Sequence, residues 1–571
     1  MKVSSPPLPL LLLPSFFLLH LHAPADGGHV LIFPGEYSHW LNMRNIMEEL
    51  VRRNHSVTVL VADASPSVDY NNSQDAAKFN FLVFKVPFSR AELHGLTEEL
   101  VHFSMYESHV SSPLRKFLKA RDWLRRSVDL GMQQCDSMLK NEQLMVTLRD
   151  AAFDAVLLDP MVMCGDLVAD VLGLPLIISL RFSFGSVLER RCGHAPAPPS
   201  YVPPAPLPYG DHMTFVERLI SAVTYVWLSV MTEVFWRLTL DQYYSEVKGS
   251  PSSACSTLGN ADVWLIRTFW DLETPQPTPP NFKHVGGLHC KPANQLPEDL
   301  EAFVLSADAG VVVVSFGSMV TNLTAERADV IATAFGRIPQ KVIWRFSGDT
   351  PTMLSANTKL SDWIPQNDLL GTHTHTHTHT HTHTHTRLVG AGWCSRSVRV
   401  EVEQVGEGGG GAGWCSRSVR VEVQQVGEGG GGAGWCSRSV RVEVQQVGEG
   451  GGGAERAVLD FNRLTSNELT EALLAIINQP SYKSSMEHLS VLHHDQPVAP
   501  LSTAVFWVEF VMRHGGARHL RLASHDLNWF QYHSLDTGAA LLGAMLTATT
   551  IVWGSIFFLQ RCSRQPREKN D

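Results

Sequence analysis

The sequence predicts an α/β protein with two parallel-sheet units and an apolar helix at its carboxyl end. Three observations predict it: a strand, helix, strand pattern from His29 to Val61, a second from Ala309 to Phe346, and an uncharged run from Thr537 to Leu559. The chain has 571 residues and a net charge of −10. Length alone suggests three or four domains of roughly 150 residues, but two terminal apolar runs and a repetitive block inflate that figure. A mild acidic excess without basic clusters leaves no electrostatic footprint for nucleic acid.

Met1-Lys2 precedes a run from Leu8 to Leu21 that is almost wholly Leu, Phe and Pro, followed by Ala23-Pro24-Ala25. A basic start, an apolar stretch and a small-residue cleavage site make residues 1–25 a secretory signal peptide. His29-Val30-Leu31-Ile32-Phe33 is then an apolar strand, Pro34 to His39 a loop, Trp40 to Arg53 a helical pattern and Ser56 to Val61 the next strand. Ligands of such sheets gather beyond the carboxyl ends of the strands, and His39 lies in the first such loop. Phe153 to Leu158 is another strand, ending at Asp159, ahead of a helical pattern from Cys164 to Leu172 and a strand from Pro175 to Ser179. A loop histidine or carboxylate is ordinarily a surface or capping group. If these two strands are neighbours, however, Asp159 can hold one imidazole nitrogen of His39 while the other accepts a proton.

The 14 uncharged residues between Arg218 and Glu233 fit a buried or interfacial helix, too short to span a bilayer comfortably. It serves either as core or oligomer contact, or as a place where an apolar acceptor partitions. In the carboxyl half, Ala309 to Ser318 is an apolar strand running into a Gly-Ser turn, Ala325 to Phe335 a helical pattern and Lys341 to Phe346 a strand.

Residues 372–453 break the pattern. Thr and His alternate from Thr372 to Thr386, and a 21-residue unit then recurs, marked by Trp393-Cys394, Trp414-Cys415 and Trp435-Cys436. Nineteen of the 43 glycines lie between Gly390 and Gly453. Glycine brings no side chain to bury and loses the most backbone entropy, which favours a flexible linker over a packed core or a small solenoid, although Ser-Val-Arg-Val-Glu-Val alternates like a strand. His-Thr alternation is what a CACACA repeat encodes, so the block reads as translated intron or repeat DNA. Histidines without a fixed scaffold offer nonspecific chelation only, and no metal site is expected.

Thr537 to Leu559 is long enough to cross a hydrocarbon core of about 30 Å. Arg561, Arg564, Arg567 and Lys569 follow, so residues 560–571 are expected in the cytosol and the body in the lumen. Arg567 and Lys569 are spaced like a basic retrieval signal of the endoplasmic reticulum. Asn54, Asn71 and Asn322 head glycosylation sequons. Of nine cysteines, five fall in the lumenal body outside the repeats, with no metal-type spacing and no dense disulfide framework.

Several longer segments resemble the vertebrate UDP-glucuronosyltransferases: Ser38-His39-Trp40, Phe316-Gly317-Ser318-Met319, the run Ile338 to Phe346, and Trp363-Ile364-Pro365-Gln366-Asn367-Asp368-Leu369-Leu370. So do His494 to Val498, Ala504 to His514 and His525 to Asp536, which lead into the anchor. The resemblance implies a GT-B architecture, two Rossmann-like domains facing across a cleft, plus a C-terminal transmembrane helix. Residues 26–290 would bind the acceptor, residues 291–536, interrupted by 372–453, the UDP-sugar, and 537–559 would span the endoplasmic-reticulum membrane.

By the same resemblance His39 is the base and Asp159 its orienting partner, Trp363 stacks on the uracil, Gln366 bonds the nucleoside, and Ser318 and Arg345 line that side. No metal or cofactor is implied beyond the co-substrate UDP-glucuronate. The partners implied are a small lipophilic acceptor, the membrane, and homo- or hetero-oligomers with family members.

The family's donor signature is a His-Gly-Gly turn, a Glu on the next helix and a later Asp-Gln pair. Residues 372–453 stand in its place. His514-Gly515-Gly516 and Asp495-Gln496 imitate fragments of it, but their flanks match the pre-anchor region. The expected function is glucuronosyl transfer to hydroxyl groups. The alternatives are a catalytically inactive, membrane-anchored paralogue that binds acceptors or assembles with active relatives, and a hexosyltransferase using UDP-glucose or a related donor.

Overall fold

The computed structural model describes residues 27–107, 110–181, 188–204, 207, 209–270, 275–317, 319–320, 322–371, 398–403, 420–425, 441–447, 454–461, 463–479, 488 and 490–563. The expected signal peptide, Ser318, the His-Thr tract, the glycine runs and the tail beyond Ser563 lie outside the described residues.

The first unit is built on seven strands: β1 (His29–Phe33), β2 (Ser56–Ala62), β3 (Asn80–Phe84), β4 (Ala155–Leu158), β5 (Leu176–Leu180), β6 (Val263–Ile266) and β7 (Phe282–His284). Their order is β3-β2-β1-β4-β5-β6-β7, and every pairing is parallel. Parallel strands need both faces covered, which is why they read as near-continuous apolar runs. Alternation sorts their side chains: Leu31 and Phe33 enter one core, Val30 and Ile32 the other. The helix Ser38–Arg52 presents Trp40, Met43, Ile46, Met47 and Leu50 to the second core at helical spacing. Each such burial contributes roughly 1.5–3 kcal/mol.

Strand order reverses direction at β1, whose neighbours are β2 on one side and β4 on the other. A crevice opens at such a switch point, beyond the carboxyl ends of the strands.

Four of the five body cysteines pair, a staple that their spacing did not disclose. Cys135–Cys164 ties the helix Pro113–Leu139 to the segment after β4, and Cys192–Cys255 closes 63 residues of chain. Cys290 is free.

The second sheet runs β10-β9-β8-β11-β12-β13-β14. Here β8 (Val311–Ser315), β9 (Lys341–Arg345) and β10 (Thr358–Ser361) are parallel and come from the expected second unit. The next three are β11 (Val398–Glu403), β12 (Arg420–Gln425) and β13 (Arg441–Val447), one from each copy of the repeat, followed by β14 (Ala454–Asp460). β11 lies parallel to β8, β12 antiparallel to β11, β13 parallel to β12 and β14 antiparallel to β13. The repeats are therefore neither wholly linker nor a solenoid. Val-Arg-Val-Glu-Val alternates with the period of a strand, and its backbone donors and acceptors find partners at the sheet edge.

Two segments join the units. Met105 enters the second unit's core, and the Tyr106 hydroxyl accepts a hydrogen bond from the Thr324 N–H at 3.2 Å. The helix Pro500–His514 crosses back, burying Ala504, Val505, Val508 and Val511 against the first sheet. Glu509 on it faces Arg53 at 3.2 Å and His55 at 3.2 Å. Residues 500–514 thus pack on the amino-terminal unit, although the sequence groups them with the carboxyl-terminal one.

Asp166 is buried and accepts hydrogen bonds from Thr257 and, at 2.8 Å, from Tyr244. Burial pushes its carboxyl up from 3.8 to about 6, against those bonds. The folded state therefore holds this proton more tightly than the unfolded chain. The associated stability is full below about 4 and is lost as pH rises through about 6. Thermal melts between pH 4 and 7.5 should show this slope in the full chain and its loss in Asp166→Asn. Identical slopes in the two proteins would refute the assignment.

Candidate active site

His39 stands in the first turn of the helix Ser38–Arg52, four residues beyond the Pro34-Gly35 that follows β1. Asp159 directly follows β4. Phe33 and Leu158 are partners in register, and the Asp159 N–H donates to the Phe33 carbonyl at 3.0 Å. Parallel pairing thus brings together two residues 120 positions apart. The His39 Nδ1–H donates to Asp159 Oδ2 at 2.7 Å. The second carboxylate oxygen accepts from the Met161 N–H at 3.0 Å. Only 7% of His39 and 1% of Asp159 are exposed. With Nδ1 committed as donor, Nε2 carries the basic lone pair.

The loop that presents His39 is held by contacts that sequence reasoning missed. The Glu36 carboxylate accepts from Ser65 Oγ at 2.8 Å, Ser67 Oγ at 2.5 Å and the Ser67 N–H at 3.1 Å. Burial raises the Glu36 pKa despite those bonds. Tyr37, at φ 54°, takes a backbone conformation that L-residues seldom adopt, and its N–H donates to Ser67 Oγ. The readable signal was Pro34-Gly35-Glu36 at a strand's carboxyl end.

Gly35 has no room for a side chain, since a Cβ there would lie 2.7 Å from Asp159 Cγ and 2.7 Å from His39 Cβ. Gly35→Ala should therefore push the pair apart. In a chain with an intact donor segment, kcat should fall by about 10–100-fold, the scale of a misplacement near 1 Å. Unchanged kcat would show that the loop absorbs the methyl group.

On the second unit the structure brings together two of the four donor-side candidates, Arg345 and Trp363. Arg345 ends β9, and its guanidinium donates to the Gly317 carbonyl at 2.8 Å and the Asp362 carbonyl at 3.2 Å. Its Cζ stands 5.1 Å from the Trp363 ring centroid. Trp363 is 59% exposed, so it is no core residue; its indole offers a flat face to a planar ligand. Gln366 opens the short helix Gln366–Gly371. Ser318 lies outside the described residues, next to Gly317, whose φ of 81° makes the turn.

Asn54, at φ 67° in the turn before β2, is exposed, as are Asn71 and Asn322. No group of three or more His, Cys, Asp or Glu side chains arranged for a metal occurs among the described residues.

The family model described as "UDP-glucoronosyl and UDP-glucosyl transferase" matches residues 28–390 and 444–569 and skips most of the repeats. Human UDP-glucuronosyltransferase 2A2 is 42% identical over 541 residues, 94% of this chain and 93% of the relative. Rat UDP-glucuronosyltransferase 2A1 is 40% identical over 550 residues, 95% and 96% of the two chains. Among solved structures, a UDP-glucosyltransferase from Polygonum tinctorium aligns with a TM-score of 0.48 at 12% identity, covering 85% of this chain and 99% of its own.

Proposed function

The chain belongs to the family of UDP-glucuronosyl and UDP-glucosyl transferases, a GT-B UDP-glycosyltransferase, and on that premise we propose that it is built to transfer glucuronic acid from UDP-glucuronate to hydroxyl groups of small lipophilic acceptors. The buried His39–Asp159 pair beyond the strand ends carries this reading. His39 Nε2 takes the acceptor's hydroxyl proton while Asp159 fixes the imidazole and offsets its positive charge. The acceptor oxygen attacks the anomeric carbon, its bond to the diphosphate breaks, UDP departs and configuration inverts. Trp363 stacks on the uracil, Gln366 bonds the nucleoside, and Arg345 lines that side, to which the resemblance also assigns Ser318. Backbone N–H groups at helix starts meet the diphosphate charge, so the step calls for no metal.

A second reading has its own observation. The family match omits residues 391–443, and within 372–453 the described elements are the repeat strands β11, β12 and β13. A diphosphate grip calls for a helix N-terminus, and the described elements of this block are strands. The chain as it stands is then an acceptor-binding, membrane-anchored paralogue that acts alone or assembled with active relatives. Microsomes expressing the full chain, given UDP-glucuronate, UDP-glucose and a panel of phenols, separate the readings. Glucuronide formation that His39→Ala abolishes excludes the inactive paralogue. Preference for UDP-glucose would replace glucuronosyl by glucosyl transfer.

The proposed setting is the endoplasmic-reticulum membrane, with the two units lumenal. In support, none of the residues Leu535 to Arg561 is buried, an 18-residue stretch among them has a mean hydropathy of 1.7, and basic residues follow the helix Leu535–Ser563. Two disulfides suit an oxidising compartment, and the three sequon asparagines are exposed.

A further inference from the structure

The helix Phe215–Thr239 is inside out for a soluble protein. Its outward face carries Leu219, Val223, Val226, Trp227, Val230 and Val234, all exposed, while its buried side holds the polar Ser221 and Thr232 beside Leu228 and Trp236. Ser221 Oγ donates to the Pro199 carbonyl at 2.6 Å on the inner side. The exposed positions recur every three or four residues, so they form one continuous apolar stripe rather than scattered surface residues. The charges beside that stripe are Glu233 and, in the last turn, Arg237, 3.5 Å apart.

The helix is long and apolar enough to cross a bilayer, but one side of it, with Ser221, Leu228, Thr232 and Trp236, is buried against the first unit. Thr214 and Glu217 cap its start in a capping box, and Trp236 near its end joins the first unit's core. It lies along the unit instead.

What lies against the stripe is indicated by its surroundings. Arg190 stacks over Tyr225 at 4.1 Å and donates to Ser229 Oγ at 2.8 Å, and Arg191 pairs with Glu233, so residues 190–191 grip this helix. Three residues on, His194 stacks on His525 at 4.0 Å and meets the Tyr532 ring edge-on at 6.4 Å. Tyr532 stands three residues before Leu535, where the exposed apolar helix begins. One short stretch therefore holds both the inside-out helix and the foot of the anchor.

We infer that the helix Phe215–Thr239 lies flat on the lumenal leaflet, its outward face in the boundary between headgroups and acyl chains. This inference rests on the reading of Leu535–Ser563 as a membrane span. A flat amphipathic helix buries its apolar face about 5–10 Å into that boundary, and Arg237 can extend its charge towards the headgroups. The exposed Phe530 and Tyr532 mark the same interface beside the anchor.

The test is photocrosslinking of the full chain in microsomes labelled with radioactive phospholipid. Benzoylphenylalanine is placed singly at Val223, Val230, Leu546 in the anchor, or Val146, an exposed control in the helix Glu142–Asp150. Lipid adducts at Val223 and Val230 should reach at least about half the yield at Leu546, with about fivefold less at Val146. Adducts at Leu546 alone would overturn the inference and leave the anchor standing. A crosslink from Val223 to a second copy or to another protein would overturn it in favour of a protein interface. No lipid adduct at any position would overturn the anchor reading, and this inference with it.

Discussion

A chain in which residues 372–453 are replaced by the corresponding segment of the human 2A2 relative is expected to turn over UDP-glucuronate at least about 10³-fold faster than the full chain as it stands. The family match breaks off at residue 390 and resumes at 444, within the block, and the His-Gly-Gly turn, the Glu and the Asp-Gln pair of the resembled family are missing from the sequence there. Each charged hydrogen bond contributes about 1.5–3 kcal/mol, so three lost contacts amount to about 4.5–9 kcal/mol. That corresponds to about 10³–10⁶-fold in kcat/KM for the donor. The measurement is glucuronide formation at several UDP-glucuronate concentrations, with the two proteins matched for expression. Equal activity would show that the repeats do not interrupt the donor site. Sequencing the transcript across Gly371 to Ala454 tests the origin of the block, with reads that splice past it as the expected result.

In that restored chain, His39→Ala should lower kcat by about 10²–10⁴-fold, the range a positioned general base supplies. KM for the acceptor should change little, because the imidazole's main work is in the transition state. Asp159→Asn should keep the fold and lose nearly as much, since an amide does not offset the imidazolium charge and, with its oxygen on the Met161 N–H, turns its NH2 towards Nδ1 and favours the tautomer whose Nε2 already carries the proton. The Met161 N–H, 3.0 Å from Asp159 Oδ1, still finds an acceptor if the amide oxygen takes that place. Activity in His39→Ala within tenfold of the restored parent would remove His39 from the mechanism. Loss in His39→Ala but not in Asp159→Asn would make the carboxylate a structural contact only.

Much of the local structure was legible in the chain. The strands His29–Phe33 and Val311–Ser315 announce themselves by uninterrupted branched aliphatics, since a parallel sheet is covered on both faces. His39 was visible as a polar residue in the loop beyond an apolar strand, and Asp159 as one that closes another. Trp363 and Arg345 were visible through the resemblance.

Other features were not. Gly35 looks like any loop glycine until the atoms of Asp159 and His39 are found 2.7 Å from where its Cβ would be. The pairs Cys135–Cys164 and Cys192–Cys255 obey no spacing rule, because each joins elements brought together by crossovers of the sheet. The helix Phe215–Thr239 shows an apolar run in sequence, but composition does not tell which side of it is covered. The repeats mislead in the opposite way: their glycine content argues for a linker, while the alternating stretch of each copy pairs into the sheet edge.

By itself the sequence determined the kinds of element, the terminal apolar segments, the family and the break in the donor half, because these are written in periodicity, composition and motif. Only the tertiary structure decided that β1 and β4 are neighbours, and so that a histidine and an aspartate 120 residues apart share a hydrogen bond of 2.7 Å. The reason is physical: local preference acts over a few residues, whereas strand order follows from how crossovers pack on both faces of a parallel sheet.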